Sequence, residues 1–227
     1  MKFKDLLNLY ENLKRQYGNE AYKHISNLLK EVKLIHKRDW EISPTPNKDH
    51  EQSWRAFKGK NLEKLILHII KDQVESLGLK IVEGNALERK NSKNLSEELS
   101  KVKRNLLIHY GEFGSHLPDV DLIIYSPEDC KVIAVISSKV TLRERIAQTG
   151  YWKIKLSQDP VTRNIKVVFI TLDEDGTLSI KKPAKKGRAI AEVDIDRSYV
   201  MNDIEIEESN KVKKFDKFID DLKSFVN

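Results

Sequence analysis

PDVDLIIYSPEDCKVIAVISSKVTLRER, Pro118 to Arg145, places two apolar runs on either side of a turn. DLIIY (Asp121 to Tyr125) and KVIAVISS (Lys131 to Ser138) have the β-branched composition of strands, and SPEDC between them supplies turn chemistry. Together they predict a hairpin whose loop centres near residues 128 to 129. Asp119 and Asp121 alternate at a spacing of two, so on an extended segment both project from one face. In that register positions 119 to 121 oppose roughly Ser137, and Lys139 arrives beside the aspartates. Two carboxylates and an ammonium held together form the group set of metal-assisted phosphodiester hydrolysis. Carboxylates hold Mg²⁺, the ion lowers the pKa of a water, and the lysine orients the nucleophile or stabilises charge. An aspartate also starts many turns and a lysine ends many strands, so the pattern alone leaves a structural reading open.

Outward from the hairpin, a helix is expected from about Leu142 to Leu156, followed by a strand IKVVFITL (Ile165 to Leu172). After the turn DEDG come a fourth short strand around Thr177 to Ile180 and a basic loop KKPAKKGR (Lys181 to Arg188), basic enough to meet a phosphate backbone. A final amphipathic helix is expected to carry Val212, Phe215, Phe218, Ile219, Leu222 and Phe225. Upstream, helical spacing marks two opening helices (Phe3 to Leu13, Tyr22 to Val32) and a long one from Trp54 to about Leu77, with Gly78 at its end. The proline-containing stretch Glu41 to Ser53 reads as a loop, which puts an N-terminal helical segment at 1–50 and the main domain at 51–227. LKIVEG suggests a short strand. The charged stretch Glu88 to Asn105 fits either a solvated helix or a loop, and GEFGSHLP reads as a flexible approach to the strand. Strands in the middle with helices on both sides give an α/β fold, a central mixed sheet flanked by helices.

Composition bounds the partners. The 227 residues suit one α/β core with an appendage. Against 35 Asp and Glu stand 41 Lys and Arg, a net charge of +6. That excess suits a polyanion but equally a lysine-rich soluble surface. A single cysteine, Cys130, excludes an intrachain disulfide and a thiolate metal cluster, and the six histidines show no zinc-ligand spacing. No stretch has the length of a membrane span and the N-terminus lacks a signal-peptide core, so a cytoplasmic protein is expected.

The same stretch, 118 to 145, resembles the active-site hairpin of the PD-(D/E)XK nucleases, in particular the type II restriction endonucleases whose catalytic lysine is followed by an R-(D/E)-R triplet. The resemblance implies a restriction-endonuclease-like fold and a Mg²⁺-dependent, sequence-specific double-strand DNA endonuclease. It acts at a short palindromic, G·C-containing site and works as a homodimer. In that resemblance Lys139 is the catalytic lysine, with Asp121 the principal ligand and Asp119 beside it. Arg143, Glu144 and Arg145 read bases, and Gln148 faces the DNA. Arginine can donate two bonds to guanine O6 and N7, and glutamate can accept from cytosine N4, which agrees with that role. The family's acid two residues before the lysine is Ser137 here, and positions nine and thirteen after the lysine are Gln148 and Trp152, neither an anion. The resemblance of FKGKNLEKLI to the family's N-terminal helix offers Glu63 as the further carboxylate, and Ser138 would offer its carbonyl to the metal. Two other readings stand beside this one: a structure-selective repair or junction nuclease of the same fold, and a DNA-binding module that has lost hydrolysis.

Overall fold

The computed structural model describes residues 1–44, 46–47, 49–88, 95–142 and 145–226. Its centre is a six-stranded mixed sheet, ordered β1 (Lys80–Glu83), β4 (Leu122–Tyr125), β5 (Val132–Lys139), β6 (Lys166–Thr171), β7 (Arg197–Val200) and β8 (Val212–Lys214). β1, β4 and β5 run antiparallel in sequence, and β5 through β8 are parallel. The change of direction at β5 follows from its connections. A tight turn joins β4 to β5, whereas a helical crossover is needed to return to β6 in parallel. A separate two-stranded hairpin, β2 (Ile108–His109) and β3 (Ser115–His116), precedes β4. Tyr110 N donates to Gly114 O across its tip, so the GEFGSH segment is a formed hairpin and not a flexible approach.

Alternation along the strands divides the apolar residues between two faces. Leu122, Ile124, Ala134, Ile136, Val168 and Ile170 pack under α1 (Phe3–Tyr17), α2 (Ile25–Ile42), α3 (His50–Ser76) and α7 (Phe218–Val226). Ile123, Tyr125, Val135 and Val167 face the other way, toward α4 (Glu97–Arg104) and α5 (Arg145–Ser157). Phe169, Val200 and Val212 meet α5 and α6 (Lys186–Asp194). Tyr125 pairs with Val132 while Ile124 pairs with Ala134, so Ile133 is an extra residue that flips the alternation of β5.

α3 is the element that reaches the site. Asp49 caps it by accepting the Gln52 amide at 2.7 Å, which starts the helix one turn before the expected Trp54. Leu62, Leu65, Ile66, Ile70 and Val74 are buried along one stripe, each worth about 1.5–3 kcal/mol of apolar burial. The helix ends at Ser76, and Gly78 follows at φ 74°.

Three further expectations need correction. Thr177 to Ile180 is not a strand. The buried carboxylate of Asp173 accepts the amides of Thr177 and Leu178, both at 2.9 Å, so those groups go to a side chain and not to a ladder. KKPAKKGR is not wholly a loop: its last residues begin α6, and Arg188 is fully buried. Nor do Val212 and Phe215 lie on the final helix. Val212 is on β8 and Phe215 in a short 3₁₀ turn before α7, a helical spacing that arises by coincidence across a strand and a turn. The stretch left open from Glu88 contains α4, capped by Ser96 through the Leu99 amide. Among the described residues no helix is long and apolar enough to cross a membrane.

Candidate active site

The acidic end of β4 is built by backbone contacts before any side chain acts. Asp121 N donates to Ile136 O at 2.9 Å, and Gly84 N donates to Asp121 O at 2.8 Å, which holds residues 119 to 121 between β1 and β5. Gly84 has to be glycine there, because a Cβ would lie 1.9 Å from Val120 O.

Lys139, the last residue of β5, donates from Nζ to Asp121 Oδ2 at 2.7 Å, and the Ser138 amide donates to the same oxygen at 2.6 Å. Both side chains are largely withdrawn from water, 20% exposed for Lys139 and 12% for Asp121. Glu63, on α3, brings its carboxyl beside that of Asp121. Burial, followed by the Asp121 charge, pushes the Glu63 carboxyl up to about 7, against a smaller downward pull from Lys139. Two carboxylates thus share one ammonium. Glu63, Asp121, Asp119 and Glu83 line a small cleft of about 190 Å³.

The other expected residues are distributed around this centre. Asp119 is exposed, and its Oδ2 accepts Gln148 Nε2 at 2.9 Å, so Gln148 ties α5 to the acidic segment. Arg145 is the exposed first residue of α5 and lines a second groove with Lys139, Ser138 and Glu63. The Ser138 hydroxyl is buried and has no partner among the described residues. Arg143 and Glu144 lie outside the described residues. Ser137, at the position of the family's second acid, is buried. Trp152 packs partly buried against the core under α5. Among the described residues no three His, Cys, Asp or Glu side chains converge as a ready-made ion site. Sequence reasoning missed Glu83, whose charge adds to the rise of Glu63; its only signal was a carboxylate ending a short strand just before Gly84.

Residues 98–221, more than half of the chain, match the family model described as BsaWI restriction endonuclease type 2. The chain belongs to that family. The BsaWI-family assignment extends to relatives. The chain is 43% identical over 176 residues to a Methanocaldococcus jannaschii protein named "Putative type II restriction enzyme MjaVIP", covering 75% of this chain and 76% of that protein. It is 37% identical over 161 residues to "Probable type II restriction enzyme HpyAORF263P" of Helicobacter pylori, covering 69% and 81%. Among solved structures, an AgeI–DNA complex matches with TM-score 0.57 at 16% identity, over 98% of this chain and 91% of that one. A PspGI–substrate DNA complex matches with TM-score 0.50 at 16% identity, over 91% and 76%. These two show the restriction-endonuclease fold, as the resemblance implied. As a member of the BsaWI family the chain is a type II, site-specific nuclease.

Proposed function

We propose that this chain hydrolyses both strands of DNA at a short palindromic, G·C-containing site, using Mg²⁺ bound by Asp121 and Glu63 with Asp119 and the Ser138 carbonyl completing the set. The observation that carries the reading is the gathering of Glu63, Asp121, Asp119 and Glu83 around one small cleft, beside a single lysine that is hydrogen-bonded to Asp121. Like-charged acids gathered together are a costly arrangement unless a further cation relieves it. An all-oxygen, carboxylate-rich set suits a hard divalent ion. When bound, such an ion lowers the pKa of a water and neutralises charge on the phosphate.

The remaining steps belong to the chain's own groups. Lys139 Nζ lies 2.7 Å from Asp121 and so directs its other N–H bonds toward the attacking water and the phosphate oxygen. Arg145, with Arg143 and Glu144, reads base edges. Gln148 holds Asp119 through its amide and presents its outer edge to the DNA. Glu63 supplies the carboxylate that Ser137 does not, which weighs against a module that has lost hydrolysis. Double-stranded DNA as partner is supported by the AgeI and PspGI complexes with DNA. A homodimer follows from the twofold symmetry of a palindromic site.

Digestion of plasmid DNA with Mg²⁺, followed by sequencing of the fragment ends, tests this reading. Discrete fragments sharing one flanking sequence, and no cutting in chelator, are expected. Smeared fragments would favour the structure-selective nuclease, and cutting in chelator would remove the metal from the mechanism.

A further inference from the structure

Gly59 sits in the interior of α3 with no reason inside the protein to be glycine. A glycine there weakens a helix relative to alanine. Among the described residues, an added Cβ at Gly59 would meet nothing within 4 Å beyond its own stretch of helix, and its backbone is not left-handed. Gly84, Gly150 and Gly187 differ: a Cβ there would meet neighbours at 1.9, 3.2 and 2.6 Å. Among the described residues the space over Gly59 is open.

The surroundings say what fits that space. Arg55 and Glu63 stand four residues before and after Gly59, on the same helix face. With them Gly59 lines a groove of about 440 Å³ whose opposite wall carries Ser138, Lys139 and Arg145. Five cations and three carboxylates line this groove. Glu51 and Glu174 are each paired, to Lys33 at 2.7 Å and to Lys58 at 2.8 Å. Arg55 is exposed and makes no hydrogen bond or ion pair among the described residues. Along the axis Gly59 lies about 6 Å and Arg55 about 12 Å from Glu63.

We propose that the sugar-phosphate backbone of the strand being cut runs along this face of α3. It approaches the helix most closely over Gly59, with a phosphate beyond the scissile one held by Arg55. This inference rests on the endonuclease reading and names the path of its substrate.

Gly59→Ala and Gly59→Met in the full chain test it, since both residues are strong helix formers. Both variants should raise Tm, by roughly 2–4 °C for Ala in a chain of this size. DNA binding and cleavage should fall, further for Met than for Ala. Arg55→Ala should weaken binding equally on specific and unrelated DNA and lower the salt slope by about one. A folded Gly59→Met that binds and cuts like the wild type overturns the proposal. So does a lowered Tm, which would show that packing forbids a side chain there. An altered oligomeric state with unchanged DNA affinity assigns the face to a second copy and overturns it as well. If the wild type cuts no DNA, the endonuclease reading itself fails; if it cuts and Gly59→Met cuts equally, only this inference does.

Discussion

Arg188 and Lys139 are both cations removed wholly or largely from water, and the protein treats them in opposite ways. The Arg188 guanidinium donates to Leu178 O, to Glu207 O at 2.6 Å and to Glu192 Oε1 at 2.9 Å, while Ser209 Oγ donates to the other Glu192 oxygen at 2.9 Å. Every member of that network ends on a fixed protein partner. Lys139 is hydrogen-bonded to one carboxylate, Asp121, and its charge also acts on Glu63, which faces the same cleft as Asp121, Glu83 and Asp119. The negative charge of that cleft exceeds what one ammonium can balance. A completed buried ion pair stabilises a fold, whereas an incomplete one with a perturbed carboxyl in a cleft marks a place where a ligand finishes the charge balance.

This contrast can be broken from either side. The largest stability effect belongs to Arg188→Ala, which leaves the Leu178 and Glu207 carbonyls and the partly buried Glu192 without their donor; a loss of about 3–5 kcal/mol is expected in urea unfolding. A loss below about 1 kcal/mol would mean that water replaces the guanidinium. Lys139→Ala should do the reverse. Its cleavage rate should fall by at least about 10²–10³-fold, with specific DNA binding largely intact and a loss of stability well below that of Arg188→Ala. Collapse of the fold would make the lysine a structural cation like Arg188. Smaller again is Arg145→Ala, expected to cost about 1–3 kcal/mol of discrimination between the recognised sequence and its near matches. Uniform weakening on every sequence would demote Arg145 to a phosphate contact.

The difference between the two sites also sets what the sequence makes legible. The Asp121–Lys139 pair is encoded within one hairpin, so strand period and turn chemistry locate it. Glu63 joins that pair from 58 residues upstream; helical periodicity places it only on a half-buried face, and its suggested role came through the resemblance of its segment to a known helix. Composition places Arg188 in a basic loop, because nothing local announces that the carbonyls of Leu178 and Glu207 will surround it. β7 and β8 have four and three residues, too few for a period, and their hydrogen bonds come from strands distant in the chain. Long-range partners decide each of these cases.

The central claim is that the carboxylates around Lys139 form an unbalanced site which a divalent ion completes. Because the folded state holds the Glu63 proton more tightly than the unfolded chain, it binds more protons between the ordinary 4.5 and about 7. Glu63 therefore contributes a loss of stability as pH rises through that window. Asp173, pushed up to about 6 by burial, slopes the same way, so the Glu63 share must be isolated by comparison with Glu63→Gln. Urea unfolding of both proteins from pH 4.5 to 8, with chelator and with Mg²⁺, makes that comparison. We expect a steeper loss for the metal-free wild type than for Glu63→Gln, and recovery by Mg²⁺ that is larger in the wild type. Parallel curves for the two proteins, unmoved by Mg²⁺, would contradict the account.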